Sequence, residues 1–115
     1  MRIPSILILL MLSACGGGNY SPQANHAPVA NAGPAQTVAA GTSIKLSGSG
    51  TDADQDIIKY SWTLSAPAGS SAALLNYHVA TPTFFADVPG AYVATLIVND
   101  GQLDSAPSSV TITAQ

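Results

Sequence analysis

Apolar and polar residues alternate in four stretches of the chain between residues 42 and 113. In each stretch the apolar side chains fall on one face of an extended strand: Ile44 and Leu46; Ile58, Tyr60, Trp62 and Leu64; Tyr92, Ala94, Leu96 and Val98; and Val110 and Ile112. A period of two residues is the pattern of strands that bury one face. The pattern therefore predicts β-strands packed on a common core.

Turn-forming segments separate these stretches. They are Gly48-Ser49-Gly50, Ala66-Pro67-Ala68-Gly69, Pro89-Gly90 and Asn99-Asp100-Gly101. Glycine, proline and asparagine in such clusters typically end one strand and begin the next. About seven short strands in about 90 residues are typical of an immunoglobulin-like sandwich. The sequence therefore predicts an all-β, Ig-like β-sandwich of about seven strands.

Two aromatic residues refine this prediction. Trp62 shares one strand face with Tyr60 and Leu64, which favours a place in the core. The alternative is a tryptophan that stacks on sugars. Tyr92 follows Asp87 and a Pro-Gly turn at the start of the penultimate strand, where Ig-like sandwiches have a tyrosine corner. We expect both Trp62 and Tyr92 to be structural core residues.

The start of the chain has the pattern of an export signal. Arg2 precedes an apolar run over residues 3–12, which is shorter than the roughly 20 residues of a membrane-spanning helix. Leu12-Ser13-Ala14-Cys15 follows, and Cys15 is the single cysteine. This segment resembles the lipobox of bacterial lipoproteins. The resemblance implies cleavage before Cys15 and acyl chains, such as palmitate, on Cys15. The alternative is a secretory signal with a chance cysteine.

These features divide the chain into three parts. Residues 1–14 are the predicted lipoprotein signal peptide, residues 15–25 the lipidated cysteine and a flexible tether, and residues 26–115 the domain. The glycine-rich tether reaches at most about 35 Å. In the lipoprotein family, an aspartate after the cysteine favours retention at the inner membrane. Gly16 stands there instead. We therefore expect a lipid anchor in the outer membrane of the cell envelope, with the domain on the periplasmic face or the cell surface.

Charged residues are few and mostly acidic. After the signal, Lys45 and Lys59 stand against six aspartates, and the chain has no glutamate. Such a chain lacks the basic surface of a nucleic-acid-binding protein. The two histidines, His26 and His78, have no nucleophile motif beside them. We therefore expect no nucleic-acid partner and no enzymatic activity.

The densest acidic cluster is Asp52-Ala53-Asp54-Gln55-Asp56. It begins like an EF-hand loop, but Ile57 and Thr63 stand where that loop needs glycine and glutamate. In an Ig-like sandwich, the loops with Asn25, Asp52, Asp54 and Asp100 would meet at one end, joined by Asp56 or Asp104. The hypothesis is a weak Ca²⁺ site. The alternative is a set of solvated turn carboxylates.

The whole segment after residue 25 resembles the polycystic-kidney-disease (PKD) domain family. The matching segments are residues 25–33, 46–54, 60–62, 87–92 and 96–101, with Trp62 in the family's tryptophan strand. The chain departs from the usual pattern after Trp62, where a longer proline- and serine-rich connection follows. Some PKD-like domains bind Ca²⁺ at the end of the sandwich described above.

The resemblance implies an Ig-like module of an extracellular protein. Such domains are usually spacers, or they contact proteins or carbohydrates. We therefore expect a membrane-anchored envelope lipoprotein whose domain is a structural, adhesion or binding module, with an envelope protein or glycan as its partner. The alternatives are a calcium-dependent binding module and an accessory subunit of an envelope or secreted enzyme.

Overall fold

The computed structural model describes residues 25–115; the predicted signal and most of the predicted tether lie outside this range. The described part of the chain forms eight strands and no helix: β1 (Val29–Asn31), β2 (Gln36–Val38), β3 (Thr42–Lys45), β4 (Ser49–Thr51), β5 (Lys59–Ser65), β6 (Thr83–Ala86), β7 (Gly90–Asn99) and β8 (Ser108–Ala114). Over this range, no helix has the length and hydropathy needed to cross a bilayer. The all-β prediction is confirmed.

The strands form two layers. One layer is a four-stranded sheet in the order β2-β8-β7-β5, in which β2 runs parallel to β8 and the other neighbours are antiparallel. The other layer contains the antiparallel pairs β1-β4 and β3-β6. Backbone bonds from Leu46 to Pro82 and from Gly48 to Ala80 continue the β3-β6 pairing towards β4. The result is a PKD-like, Ig-type sandwich.

The predicted apolar faces form the core. Its buried side chains come from both layers: Ala32, Ile44, Leu46, Trp62, Phe84, Ala86, Tyr92, Ala94, Leu96, Val98, Val110, Ile112 and Ala114. The rings of Phe84 and Tyr92 lie 5.3 Å apart between centroids and join the two layers. Buried apolar area of this kind is the main favourable contribution to folding.

The prediction of a turn at residues 48–50 is wrong. Gly50 pairs with Ala30 across the β1-β4 ladder, and residues 49–51 are strand β4. A side chain at Gly48 would overlap the ring of Trp62, and one at Gly50 would overlap Ile58. These glycines therefore allow close approach of the two layers and do not form a turn.

The strand register brings distant loops together at one end of the sandwich. Val29 pairs with Thr51 in one layer, and Lys59 pairs with Asn99 in the other. Hydrogen bonds from Asn25 to Asp100 and from His26 to Asp54 show that these two ladders end at the same end of the sandwich. The chain enters the domain there, and the β4-β5 loop and the β7-β8 hairpin lie beside the entry. We call this end, formed by residues 25–28, 52–58 and 100–107, the acidic pole.

Candidate functional site

Three carboxylates meet at the acidic pole. One oxygen from each of Asp52, Asp56 and Asp100 lies within 4.8 Å of the others. Asp52 and Asp56 come from the β4-β5 loop, and Asp100 comes from the β7-β8 hairpin. We call these three residues the carboxylate group. They are far apart in the sequence, and the pairing of β5 with β7 brings their loops together.

Asp100 is held in place by its own hairpin and by the entering chain. Its Oδ1 accepts hydrogen bonds from the backbone N–H groups of Gln102 and Leu103, both at 2.8 Å. Its Oδ2 accepts a bond of 2.7 Å from the Asn25 side-chain amide. The Leu103 N–H, with further help from Asn25 and Gln102, holds the pKa of Asp100 below its ordinary value. The carboxylate is therefore charged although it is buried.

Asp56 is in the opposite electrostatic situation. Loss of hydration, followed by the charges of Asp52 and Asp100, raises its pKa above the ordinary aspartate value. Asp52 accepts a bond of 2.7 Å from the Asp54 N–H through Oδ1. Its Oδ2 is buried and has no hydrogen-bond partner within the described chain. A polar oxygen shielded from water in this way is costly unless a cation or donor compensates it.

The other predicted acidic residues have separate partners. Asp54 Oδ2 accepts the backbone N–H of His26 at 2.7 Å, and Oδ1 lies 3.1 Å from the His26 ring Nδ1. The backbone bond from His26, followed by the bond from its ring, lowers the pKa of Asp54. Asp104 accepts a bond of 2.8 Å from the Asn99 side chain. Neither Asp54 nor Asp104 belongs to the carboxylate group.

The carboxylate group has the ligand chemistry of a hard cation. Ca²⁺ takes six to eight oxygen ligands in irregular geometry, and carboxylate and amide oxygens from separate loops suit it. The Asn25 side-chain amide donates to Asp100 Oδ2, at the edge of the group. Three carboxylates leave coordination positions for water or for oxygens of another molecule.

The structure therefore assembles part of the predicted set. Asn25, Asp52 and Asp100 come together, and Asp56 joins them, whereas Asp54 turns to His26. Sequence reasoning did not anticipate His26, because its contact with Asp54 spans 28 positions. Cys15 lies outside the described residues.

The two predicted core aromatics lie away from this pole. Trp62 is 2% exposed, and its indole N–H donates a bond of 2.9 Å to the Val79 carbonyl. The buried ring is not available as a platform for sugars. The Tyr92 hydroxyl donates to the Val88 carbonyl at 2.6 Å and accepts from the Val88 N–H at 3.0 Å. Asp87 Oδ1 lies 3.1 Å from the same hydroxyl. This arrangement is a tyrosine corner.

These features define an Ig-type sandwich module with a tyrosine corner and an acidic pole. Residues 32–114 match the family described as "K319L-like, PKD domain", and the chain belongs to that family. Domains of this kind are typically structural or binding modules and are generally non-catalytic.

Solved structures with the same fold agree with this assignment. The solution structure of the PKD domain from the KIAA 1837 protein is similar with a TM-score of 0.61 and 27% identity; the match covers 84% of this chain and 92% of that one. A proposed alpha-galactosidase from Bacteroides fragilis NCTC 9343 is similar with a TM-score of 0.53 and 12% identity. That match covers 84% of this chain but 19% of the other, and it shows the fold alone. No curated protein matches the sequence.

Proposed function

We propose that the protein is a lipid-anchored envelope module whose PKD domain acts in adhesion, scaffolding or binding rather than in catalysis. The observation that supports anchoring is the segment Leu12-Ser13-Ala14-Cys15 after an apolar run. The domain begins about ten residues later, so a lipid on Cys15 would hold it close to the bilayer. Two or more acyl chains would make that attachment stable.

The anchor is tested by Cys15→Ser in the full chain, followed by membrane fractionation and mass spectrometry. We expect the variant to lose the lipid and either to appear in the soluble fraction or to remain uncleaved. Ser21→Ala, in the predicted tether and outside the lipobox, is the matched control. A Cys15→Ser protein that is cleaved normally and stays on the membrane would refute the lipoprotein assignment.

The binding role is tested by crosslinking in native membranes, followed by purification of the anchored protein. We expect an envelope protein or a glycan to be recovered with it. Recovery of an enzyme in fixed proportion would instead favour the accessory-subunit alternative. A domain that crosslinks to nothing in its native membrane would act as a spacer.

A second candidate function is calcium-dependent binding. The observation that favours it is the carboxylate group, in which the buried Asp52 Oδ2 has no hydrogen-bond partner among residues 25–115. Bound Ca²⁺ would offset the repulsion among the three carboxylates and stabilise the fold. At a calcium concentration tenfold above Kd, the gain is about 1.4 kcal/mol. That corresponds to a rise in Tm of roughly 6–11 °C for a domain of this size.

Thermal melting with millimolar Ca²⁺ and with chelator tests this candidate. Asp56→Asn should weaken the calcium response, because it removes one ligand charge from an exposed position. Asp104→Asn is the matched control, since Asp104 lies in the same hairpin as Asp100 but outside the carboxylate group. Melting curves that do not respond to Ca²⁺ would leave these residues as solvated turn carboxylates.

A further inference from the structure

The outer surface of β6 carries an exposed aromatic ring. Phe85 is 52% exposed, although its neighbours Phe84 and Ala86 are buried in the core. Because side chains alternate along a strand, Thr83 and Asp87 share the outer side of β6 with Phe85. An exposed phenylalanine in the middle of a sheet surface is unfavourable in water, and aromatic residues are enriched where proteins contact one another.

The neighbouring strand β3 extends this surface on one side. Ser43 pairs with Phe85, and Lys45 pairs with Thr83. Both β3 residues are exposed, so their side chains lie on the same side of the sheet as Phe85. In the described part of the chain, Lys45 has no ion pair. The surface therefore has a free basic group beside the residue that precedes Phe85 by two positions.

The connection between β5 and β6 extends the surface on the other side. It is held against β6 at two points: the Ser71 N–H donates to Asp87 at 2.6 Å, and the Leu75 N–H donates to the Thr83 carbonyl at 2.8 Å. Among the described residues, no backbone hydrogen bond joins residues 72–74 to β6. An open cavity of about 450 Å³ lies there, and Phe85 is part of its lining. The Phe85 ring therefore stands beside an open hollow.

We call the surface formed by these three segments the Phe85 face. It consists of Ser43, Lys45, Ser71, Ala73, Leu75, Thr83, Phe85 and Asp87. Its two charged side chains lie at opposite ends, because Asp87 is two residues after Phe85 and Lys45 lies beside the residue two before it. The two positions are about 13 Å apart along the strand. Hydrogen bonds from Ser70 and Ser71 lower the pKa of Asp87, so its carboxylate is charged at neutral pH.

This arrangement of charges is complementary to itself. A twofold axis that lies between two facing copies and crosses β6 at Phe85 exchanges the positions two residues before and after Phe85. Lys45 of each copy then lies beside Asp87 of the other, and each Phe85 ring meets the cavity beside the other ring. An axis parallel to β6 would instead bring the two Asp87 carboxylates together, so the charges select one orientation. A surface that matches itself in this way is what a symmetric dimer requires.

We propose that the Phe85 face is a self-association surface, through which two copies of this chain form a weak symmetric dimer. Lys45 and Asp87 pair between the copies, and the two Phe85 rings pack in the centre. Three strand segments about 4.8 Å apart and about 13 Å long cover less than the roughly 800 Å² per partner of a standard interface. The contact therefore forms where copies are concentrated, as the proposed lipid anchor would concentrate them in one membrane. This inference rests on the proposed scaffolding role and names a partner for it.

Disulfide crosslinking of the full-length protein in native membranes tests the contact. Ser43 pairs with Phe85, so Ser43→Cys places a thiol on the proposed axis, opposite its own counterpart. We expect mild oxidation to link two copies into a covalent dimer on a non-reducing gel. Thr111→Cys, exposed on the outer surface of the four-stranded sheet, is the matched control and should give no more dimer than the wild type, which shows any background from Cys15. Equal dimer yields at positions 43 and 111 would refute the Phe85 face.

Charge variants in the Ser43→Cys protein test the orientation of the two copies. Lys45→Glu should lower the dimer yield about fivefold, because two ion pairs between the copies are lost. Lys59→Glu makes the same charge change at an exposed position outside the face and should leave the yield unchanged. Phe85→Ala should also lower the yield, since the ring fills the centre of the contact. The tryptophan emission of each variant checks its fold. Equal losses in Lys45→Glu and Lys59→Glu would overturn the proposed pairing.

The same experiment separates this inference from the proposed function. Wild-type protein in the membrane fraction, with no dimer at position 43, leaves the anchor in place and refutes self-association. Wild-type protein in the soluble fraction refutes the anchor, whereas a dimer formed through position 43 by that soluble protein at high concentration would still support the Phe85 face. A crosslink from position 43 to a different protein would refute a second copy as the partner.

Discussion

At the scale of single residues, Tyr92 connects the end of one strand to the start of another. Its ring packs on Phe84 in the core, while its hydroxyl bonds to the backbone of Val88 and lies near Asp87. Asp87 in turn accepts bonds from Ser70 at 2.5 Å and from the Ser71 N–H at 2.6 Å. Those bonds, the Ser70 hydroxyl first, lower the pKa of Asp87. The Tyr92 hydroxyl and the Asp87 carboxylate thus hold together residues 70–71, residues 87–88 and the start of β7.

Tyr92→Phe tests the hydroxyl without removing the ring. We expect a loss of about 1–3 kcal/mol in the free energy of unfolding, because the backbone N–H and C=O of Val88 lose their partner. Urea denaturation measures the loss. Tyr77→Phe is the matched control, since Tyr77 is 50% exposed and its change should stay within about 0.5 kcal/mol. Equal stability of the two variants would show that water replaces the corner bonds.

Trp62 is the largest side chain in the core and the single tryptophan of the chain. Trp62→Ala should lower the free energy of unfolding by about 3–5 kcal/mol, because it leaves a cavity and removes the hydrogen-bond donor to the Val79 carbonyl. Ile57→Ala, at a position 88% exposed, should cost far less. In the native protein the tryptophan emission should be blue-shifted and poorly quenched by iodide. Red-shifted, readily quenched emission would contradict the burial.

At the scale of elements, the connection between β3 and β4 depends on Gly48, which has no side chain. Gly48 lies against the Trp62 ring, and a Cβ there would also lie 3.0 Å from the Ala80 carbonyl oxygen. The backbone of this segment therefore packs directly on the core tryptophan. That close contact keeps the segment between β3 and β4 in the sandwich instead of letting it form the predicted turn.

Gly48→Ala tests this contact. The added methyl group should destabilise the domain by about 1–3 kcal/mol, because the indole and the backbone must both shift. Ser49→Ala, at an exposed neighbouring position, is the control. Chemical denaturation and the tryptophan spectrum of each variant give the result. A Gly48→Ala protein with unchanged stability would mean that the segment moves freely away from Trp62.

The sequence predicted the long elements and missed features that depend on distant contacts. Alternation alone placed Ile44, Trp62 and Leu96 in the core, because burial of one strand face imposes a period of two. Residues 48–50 were predicted as a turn because glycine and serine favour turns locally. Their true role depends on Trp62 and Ile58, which face the two glycines and lie elsewhere in the sequence. The parallel pairing of β2 with β8 had no local signal, since β2 has three residues and no buried face.

For the candidate site, the sequence predicted which loops come together but not which side chains face each other. The order of loops in an Ig-like sandwich brought Asn25, Asp52 and Asp100 to one end, which is a property of the topology. Which aspartate of the β4-β5 loop faces Asp100 was not predictable, because His26 competes for Asp54. A side-chain contact between segments so far apart leaves no periodic trace in the sequence.

At the scale of the whole molecule, the aspartates make stability depend on acid pH. Hydrogen bonds lower the pKa of Asp54, Asp87 and Asp100 in the folded state, so the unfolded chain binds protons more readily. Their stabilisation is present above the unfolded pKa of about 3.9 and is lost as the pH falls through the folded values. Asp56 acts oppositely, because its raised pKa makes protonation favour the folded state.

We therefore expect the free energy of unfolding to rise slightly as the pH falls towards about 4, and then to fall below it. Urea denaturation across the acid range measures this profile. Asp56→Asn should remove the slight rise, and Asp54→Asn should make the fall less steep. Ser49→Ala, at an exposed position with no titratable group, is the control for the shape of the profile. A flat profile would contradict the lowered pKa values of Asp54, Asp87 and Asp100 in the folded state.

The parallel pairing of β2 with β8 has a mechanical consequence. Gln36, Thr37 and Val38 lie beside Ile112, Thr113 and Ala114, and Gln115 extends the pairing through Val38 and Ala40. A pull that draws Asn25 and Gln115 apart slides these two strands past each other along their length. The bonds between them then bear the load together and must rupture together, unlike those of a hairpin opened from its end. If the domain is tethered at the acidic pole and pulled from the opposite end, the β2-β8 pairing is where it would resist stretching.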